Sequence, residues 1–161
     1  MKTFWGVLYT LAFIVLLILL GRIVFIDSRI NADITVKIQN AQKASSFEEM
    51  AAELKEARLG LEKWGITKGD AGLIFKPPLN DAALFYAALK KVQKDVQVLK
   101  NLNLDKDTSA YFTTLEETQR TLEAFDFPFT WHWIIHRGHF SILLLFIILA
   151  ILSGVLVLKS R

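Results

Sequence analysis

The sequence predicts an all-α membrane protein in which two transmembrane helices flank an extracytoplasmic, four-helix, up-down bundle. Three observations carry that expectation. Residues 4–26, FWGVLYTLAFIVLLILLGRIVFI, hold a single charge, Arg22, and residues 140–158, FSILLLFIILAILSGVLVL, hold none in 19 positions. The segment between them repeats apolar residues at three- and four-residue spacing, the period of helices with one buried face.

A helix of 19 residues is about 28 Å long, enough to cross a hydrocarbon core of about 30 Å. The first apolar run exceeds the roughly 7–15 residues of a cleaved signal, and IVFIDSR has no small-x-small cleavage pattern. It is therefore expected to be an uncleaved signal anchor, spanning 4–26 behind a short tail, 1–3. Arg22 lies near its end, where the side chain can snorkel to the headgroups, and Trp5 and Tyr9 suit the opposite membrane boundary.

Residues 27–44, DSRINADITVKIQNAQKA, carry Ile30, Ile34, Ile38 and Ala41 at helical spacing, yet Ile34-Thr35-Val36 is β-branched, so helix and strand both remain open there. Ser46 and Glu49 form a capping box before the stripe Phe47, Met50, Ala51, Leu54, Ala57, Leu61 and Trp64, and Gly65 is the expected stop. A second helix opens at Asn80, with Leu84, Phe85, Ala88, Leu89, Val92, Val96 and Leu99 facing inward. A third starts near Asp105 or Asp107 and buries Ala110, Tyr111, Leu115, Leu122 and Phe125. Pro128 suits the first turn of a further helix leading to the second span, residues 138–158, and its tail, 159–161. A chain that leaves the membrane at residue 27 and returns near 137 needs an even number of crossings, which favours four helices in the outer domain, residues 27–137.

Charge sets the orientation. Of 19 Lys and Arg, four (Lys2, Arg22, Lys159 and Arg161) lie outside residues 27–137, leaving 15 against all 16 Asp and Glu. The basic excess is thus membrane-flank charge and not a nucleic-acid surface. Lys2, Lys159 and Arg161 place both termini in the cytoplasm of a cell-membrane protein, with Arg22, Arg29 and Arg137 at the opposite helix ends opposing that assignment. Cysteine is absent, which removes thiolate catalysis and cysteine metal sites.

Two stretches invite a functional reading. FTWHWIIHRGHF, residues 129–140, holds all three histidines, His132, His136 and His139, on one helical face. Neutral imidazoles there could hold zinc, copper or haem, with Asp126 as an added carboxylate. The same stretch fits a membrane boundary through Trp131, Trp133 and Arg137, and this bland reading leads. No cofactor is therefore expected. The connection at residues 65–80, GITKGDAGLIFKPPLN, is longer than closure needs. Its apolar centre, Leu73, Ile74 and Phe75, followed by Pro77 and Pro78, is expected to cap the far end of the bundle or to dock a partner protein.

The carboxylate pairs Glu48-Glu49, Glu53-Glu56 and Glu116-Glu117 alternate with Lys55, Arg58 and Arg120 as helix-surface support. Nucleophile motifs are missing, so no enzyme is expected. The expected role is a non-catalytic accessory or scaffold subunit of a larger membrane complex, with the bilayer and other membrane subunits as partners. The alternatives are an extracytoplasmic ligand- or metal-binding sensor and a cofactor-bearing oxidoreductase subunit, each acting through a partner.

Overall fold

The helix that opens the chain does not stop at the predicted membrane boundary. In the computed structural model, which describes residues 2–71, 81–102, 105–136 and 139–159, α1 (Lys2–Ile30) runs into a π-helical segment (Asn31–Thr35) and then α2 (Val36–Gln42) without a break. Then follow α3 (Phe47–Trp64), α4 (Ala82–Asn101), α5 (Ser109–Glu123), α6 (Phe129–His136) and α7 (His139–Lys159). Among the described residues there is no strand, only an isolated bridge between Asp70 and Asp81. The stretch Ile34-Thr35-Val36 is thus helical despite its branching. Ile30, Ile34, Ile38 and Ala41 are all buried, and that tertiary seam overrides a weak local preference.

Two compact units divide the chain: Met1–Asp27 together with Ile134–Arg161, and Ser28–Trp133. In the first, α1 leaves Leu11, Ile14, Leu17, Ile18 and Val24 exposed, and α7 leaves Ile142, Leu145, Ile148, Ile151 and Leu152 exposed. Tyr9, Phe13 and Leu16 of α1 line a shallow groove with Val155, Gly154, Ile151 and Ile147 of α7, so the two run antiparallel. A Cβ at Gly154 would sit 3.5 Å from the Tyr9 ring, ordinary contact distance. The helix spanning Tyr9–Gln42 is long and apolar enough to cross a membrane.

In the second unit α3 is central, packed against α2 and the π segment on one side and α4 on the other, while α2 also meets α5. Its predicted stripe is buried from Phe47 through Leu61. Ser46 Oγ accepts from the Glu49 N–H at 3.2 Å, and the Glu49 carboxylate reaches back to the Ser45 N–H at 2.8 Å, a capping box displaced by one residue. Polar rungs fix the register of α5. The Phe47 N–H donates to Tyr111 Oη at 3.2 Å, Gln119 Nε2 donates to the Ala44 carbonyl at 2.8 Å, and Gln42 Nε2 to the Leu122 carbonyl at 2.9 Å. Each is worth about 1 kcal/mol net.

Several predicted details shift. Asp81, not Asn80, caps α4, its Oδ1 accepting from the Ala83 and Leu84 N–H groups. Thr108, not Asp105 or Asp107, caps α5, because Asp105 is committed to a turn in which its Oδ1 accepts from the Asp107 N–H. Ala110 is exposed, and so are Leu84 and Ala88, which were expected inside. The core side of α4 is Ala82, Phe85, Leu89 and Val96. Phe85 is ringed by Phe125, Phe127 and Phe129, each with its centroid 5.3 Å away. The segment after α5 therefore closes the core instead of merely leading out of it.

Candidate functional site

The π segment and the end of α3 meet at an unusually close approach. Gly60 is buried in the middle of α3, and a Cβ built there falls on the Asp33 carbonyl oxygen and within 3.0 Å of Ile34 Cγ1. Only glycine allows that separation. One turn on, Lys63 Nζ and Trp64 Nε1 both donate to Asp33 Oδ2, at 2.6 and 2.8 Å. A helix that departs from the α pattern is thus held by backbone contact on one side and by a doubly bonded carboxylate on the other. Single π turns of this kind are frequent at functional positions.

The chain then turns through a left-handed cap. Gly65 has φ 69°, the Ile66 N–H donates to the Leu61 carbonyl at 2.9 Å, and the Gly65 N–H to the Glu62 carbonyl at 3.1 Å. This is a Schellman closure, with Ile66 and Leu61 buried as its apolar contact. Gly69, with φ 93°, supplies the carbonyl that accepts from the Ala82 N–H at 2.9 Å, which ties the connection to the start of α4. The described part of the connection, residues 65–71, does not lie at the far end of the unit. It lies beside the stretch where the chain leaves the unit at Trp133, since the Lys68 carbonyl meets His132 and Trp64 packs on Trp133.

His132 seals this end. Its ring is 1% exposed, and Nε2 lies 2.8 Å from the Lys68 carbonyl oxygen. A carbonyl only accepts, so Nε2 carries the proton. Pro128 precedes α6 and its carbonyl accepts from the His132 N–H at 3.1 Å, starting the helix as its fixed φ favours. Trp133, expected at a membrane boundary, is instead buried edge-on against Trp64, with ring centroids 6.3 Å apart. Positions 132 and 133 turn into the unit while Trp131 remains 55% exposed.

The remaining predicted residues separate. His136 is exposed. The His139 and Trp5 side chains lie outside the described residues, as do Arg137, Leu73, Ile74, Phe75, Pro77 and Pro78. Arg22 is exposed on α1, and Tyr9, 41% exposed, stacks on Phe13 with centroids 6.2 Å apart. Asp126 is exposed on the rim of an apolar cavity of about 190 Å³ lined also by Asp81, Leu84, Phe85, Ala88 and Phe125. Among the described residues no three His, Asp or Glu side chains come together to hold a metal. His132, the histidine nearest such a role, already spends Nε2 on a backbone carbonyl.

No known protein family matches this chain, and no curated protein or solved structure is significantly similar to it. Sequence reasoning missed Gly60 and its partners Asp33, Lys63 and Trp64. One signal was available: a glycine within a buried stripe costs about 1 kcal/mol against alanine, and that cost implies a packing reason.

Proposed function

We propose that this protein is a membrane-anchored, non-catalytic accessory or scaffold subunit of a larger membrane complex. Its two spans, at 4–26 and 138–158, would hold an extracytoplasmic four-helix, up-down bundle that docks other proteins. The observation that carries the reading is the contrast between units. α1 and α7 expose a broad face of large aliphatic side chains, which a hydrocarbon surrounding makes stable. The other unit buries its aliphatic stripes and turns ion pairs such as Lys106–Glu48 at 3.4 Å and Arg120–Glu116 at 2.7 Å to the outside. Those carboxylates are occupied as surface support, which favours binding over acid–base chemistry. Lys2, Lys159 and Arg161 favour cytoplasmic termini.

The test is extraction and topology in membranes. The chain should resist alkaline carbonate and yield to detergent. The protein lacks cysteine, so single replacements report sidedness. An impermeant maleimide should label K90C from outside intact cells and leave K2C untouched until the membrane is opened. Release by carbonate, or labelling of K2C but not K90C, would overturn the reading.

A further inference from the structure

Helices α4 and α5 share little surface, since α3 carries α4 and α2 carries α5. The rings of Phe85 and Phe125, with centroids 5.3 Å apart, join the start of α4 to the end of α5. Beside that contact opens the cavity of about 190 Å³, with Leu84, Phe85, Ala88 and Phe125 as its apolar floor and Asp81 and Asp126 on its rim.

The walls are set by packing within the chain. Phe85 is held by Phe125, Phe127 and Phe129. Asp81 is fixed by its capping role, with Oδ1 accepting from the Ala83 and Leu84 N–H groups at 2.7 and 3.3 Å. A preformed apolar hollow with a few convergent polar groups is the usual form of a small-molecule site.

Charge decides what kind of molecule suits it. An isolated surface carboxylate selects nothing, but here two flank one apolar hollow, and no lysine, arginine or histidine lines it. Neither carboxylate forms an ion pair among the described residues. The helix ends act in the same direction. The last turn of α5 finishes at Ala124 on the cavity wall, which brings the negative pole of that helix to the site. The positive pole at the start of α4 is already answered by the Asp81 cap. A metal ion fits poorly, because it needs more oxygen ligands than two carboxylates around an apolar floor provide.

We propose that this cavity binds a small organic ammonium ion. Its aliphatic or aromatic body lies on Leu84, Phe85, Ala88 and Phe125, and its charged head is held by Asp81 and Asp126. A cavity of about 150 Å³ takes a benzene ring, so this one admits a ring with a short amine chain. Ligand binding here goes beyond the docking role and does not depend on it.

The full chain in nonionic detergent, titrated with phenethylammonium and followed by saturation-transfer NMR against protein-free micelles, tests the proposal. Saturable binding is expected with Kd on the order of 1 mM. Neutral ethylbenzene should bind about fivefold more weakly, and anionic hydrocinnamate more weakly still. D126N removes charge from an exposed side chain, and D81N keeps the cap because asparagine caps as well as aspartate. Both should melt like the wild type. Each should weaken phenethylammonium binding by about two- to fivefold, and the double variant by about tenfold. A88W fills the hollow, leaves both carboxylates in place and should abolish saturable binding.

A wild type without saturable binding would overturn the proposal, as when another part of the chain or a second protein occupies the hollow. Binding unchanged by D81N/D126N or by A88W would overturn it too, as would ethylbenzene binding as tightly as phenethylammonium. A preference for Nα-acetyl-lysine amide over phenethylammonium would assign the cavity to a protein side chain instead. None of these results bears on carbonate extraction or maleimide sidedness, so the two readings fail separately.

Discussion

Replacing Gly60 with alanine sets two effects of opposite sign against each other. By helix propensity alone, alanine inside α3 should stabilise by about 1 kcal/mol. At this position the added methyl meets the Asp33 carbonyl group and Ile34 Cγ1, and the obstacle is mainly backbone that cannot rotate aside. Overpacking of this kind costs about 1–3 kcal/mol. The displacement also strains the bonds from Lys63 and Trp64 to Asp33 Oδ2 one turn away, of which the charged one, with Lys63 largely exposed, is worth about 0.2–1 kcal/mol when intact. Even with partial relaxation the net should be a loss of about 1–3 kcal/mol, a fall in melting temperature on the order of 5–15 °C for a unit of this size. Thermal unfolding of the detergent-solubilised chain by circular dichroism measures it. Tryptophan emission adds a local probe, because Trp64 packs on Trp133. The matched control is Gly21→Ala in α1, where nothing lies within 4 Å of the new methyl and no loss should appear. A Gly60→Ala protein as stable as the wild type, or more stable, would refute the close approach, since propensity alone predicts that sign.

Asp33→Ala removes the acceptor of two donors and should lower stability by about 1–2 kcal/mol; Trp64→Phe keeps the ring and loses only the Nε1 bond, so it should lose about 1 kcal/mol at most and less than Asp33→Ala, and equal losses would deny Asp33 its second donor. His132→Leu fills the same space but leaves the Lys68 carbonyl without its donor, which should cost about 1–3 kcal/mol in chemical denaturation, whereas a neutral result would mean that the ring acts only as filler. Added zinc should leave the wild-type melting temperature unchanged; a rise that His132→Leu abolishes would restore the metal reading. The hydrogen bond from Tyr86 to Glu62, with burial second, raises the phenol above its ordinary value. A raised value means the contribution is present below the unfolded phenol's pKa of about 10 and is lost as pH climbs through the folded one. Melting above pH 10 should therefore fall further for the wild type than for Tyr86→Phe, and parallel pH curves would exclude the linkage.

How much of the fold was legible depends on whether a residue's role is set by its own segment. The stripe on α3, its Ser46 cap and the Gly65 stop follow from spacing and local backbone chemistry, and each appears where expected. Local rules also named the candidates for the α4 and α5 caps, but at α5 a nearby turn claimed Asp105 and left the cap to Thr108. The fate of Ile34-Thr35-Val36 was undecidable locally, because the contacts that hold it as a helix, the buried seam through Ile34 and Ile38 and the close approach of Gly60, come from elsewhere in the chain. Leu84 and Ala88 were misplaced for a related reason. The α4 pattern shows how wide the apolar arc is, but the number of neighbours available to cover it is a tertiary property.

The segment from Phe125 to Trp133 shows the same limit at the candidate site. Its aromatics and His132 resemble a membrane rim when counted by composition, since tryptophan and histidine gather at such boundaries for their mixed polarity. Mixed polarity serves equally well to close the end of a helical unit, where apolar rings must pack while a loop carbonyl needs a donor. Phe127 and Phe129 pack on Phe85, Trp133 on Trp64, and the His132 N–H meets the Lys68 carbonyl. The two uses differ only in which face of α6 meets the rest of the chain, and composition carries no information about that. Neighbours on α6 divide the roles, with Trp131 outward and His132 and Trp133 inward, so one turn of helix accounts for both the expectation and its correction.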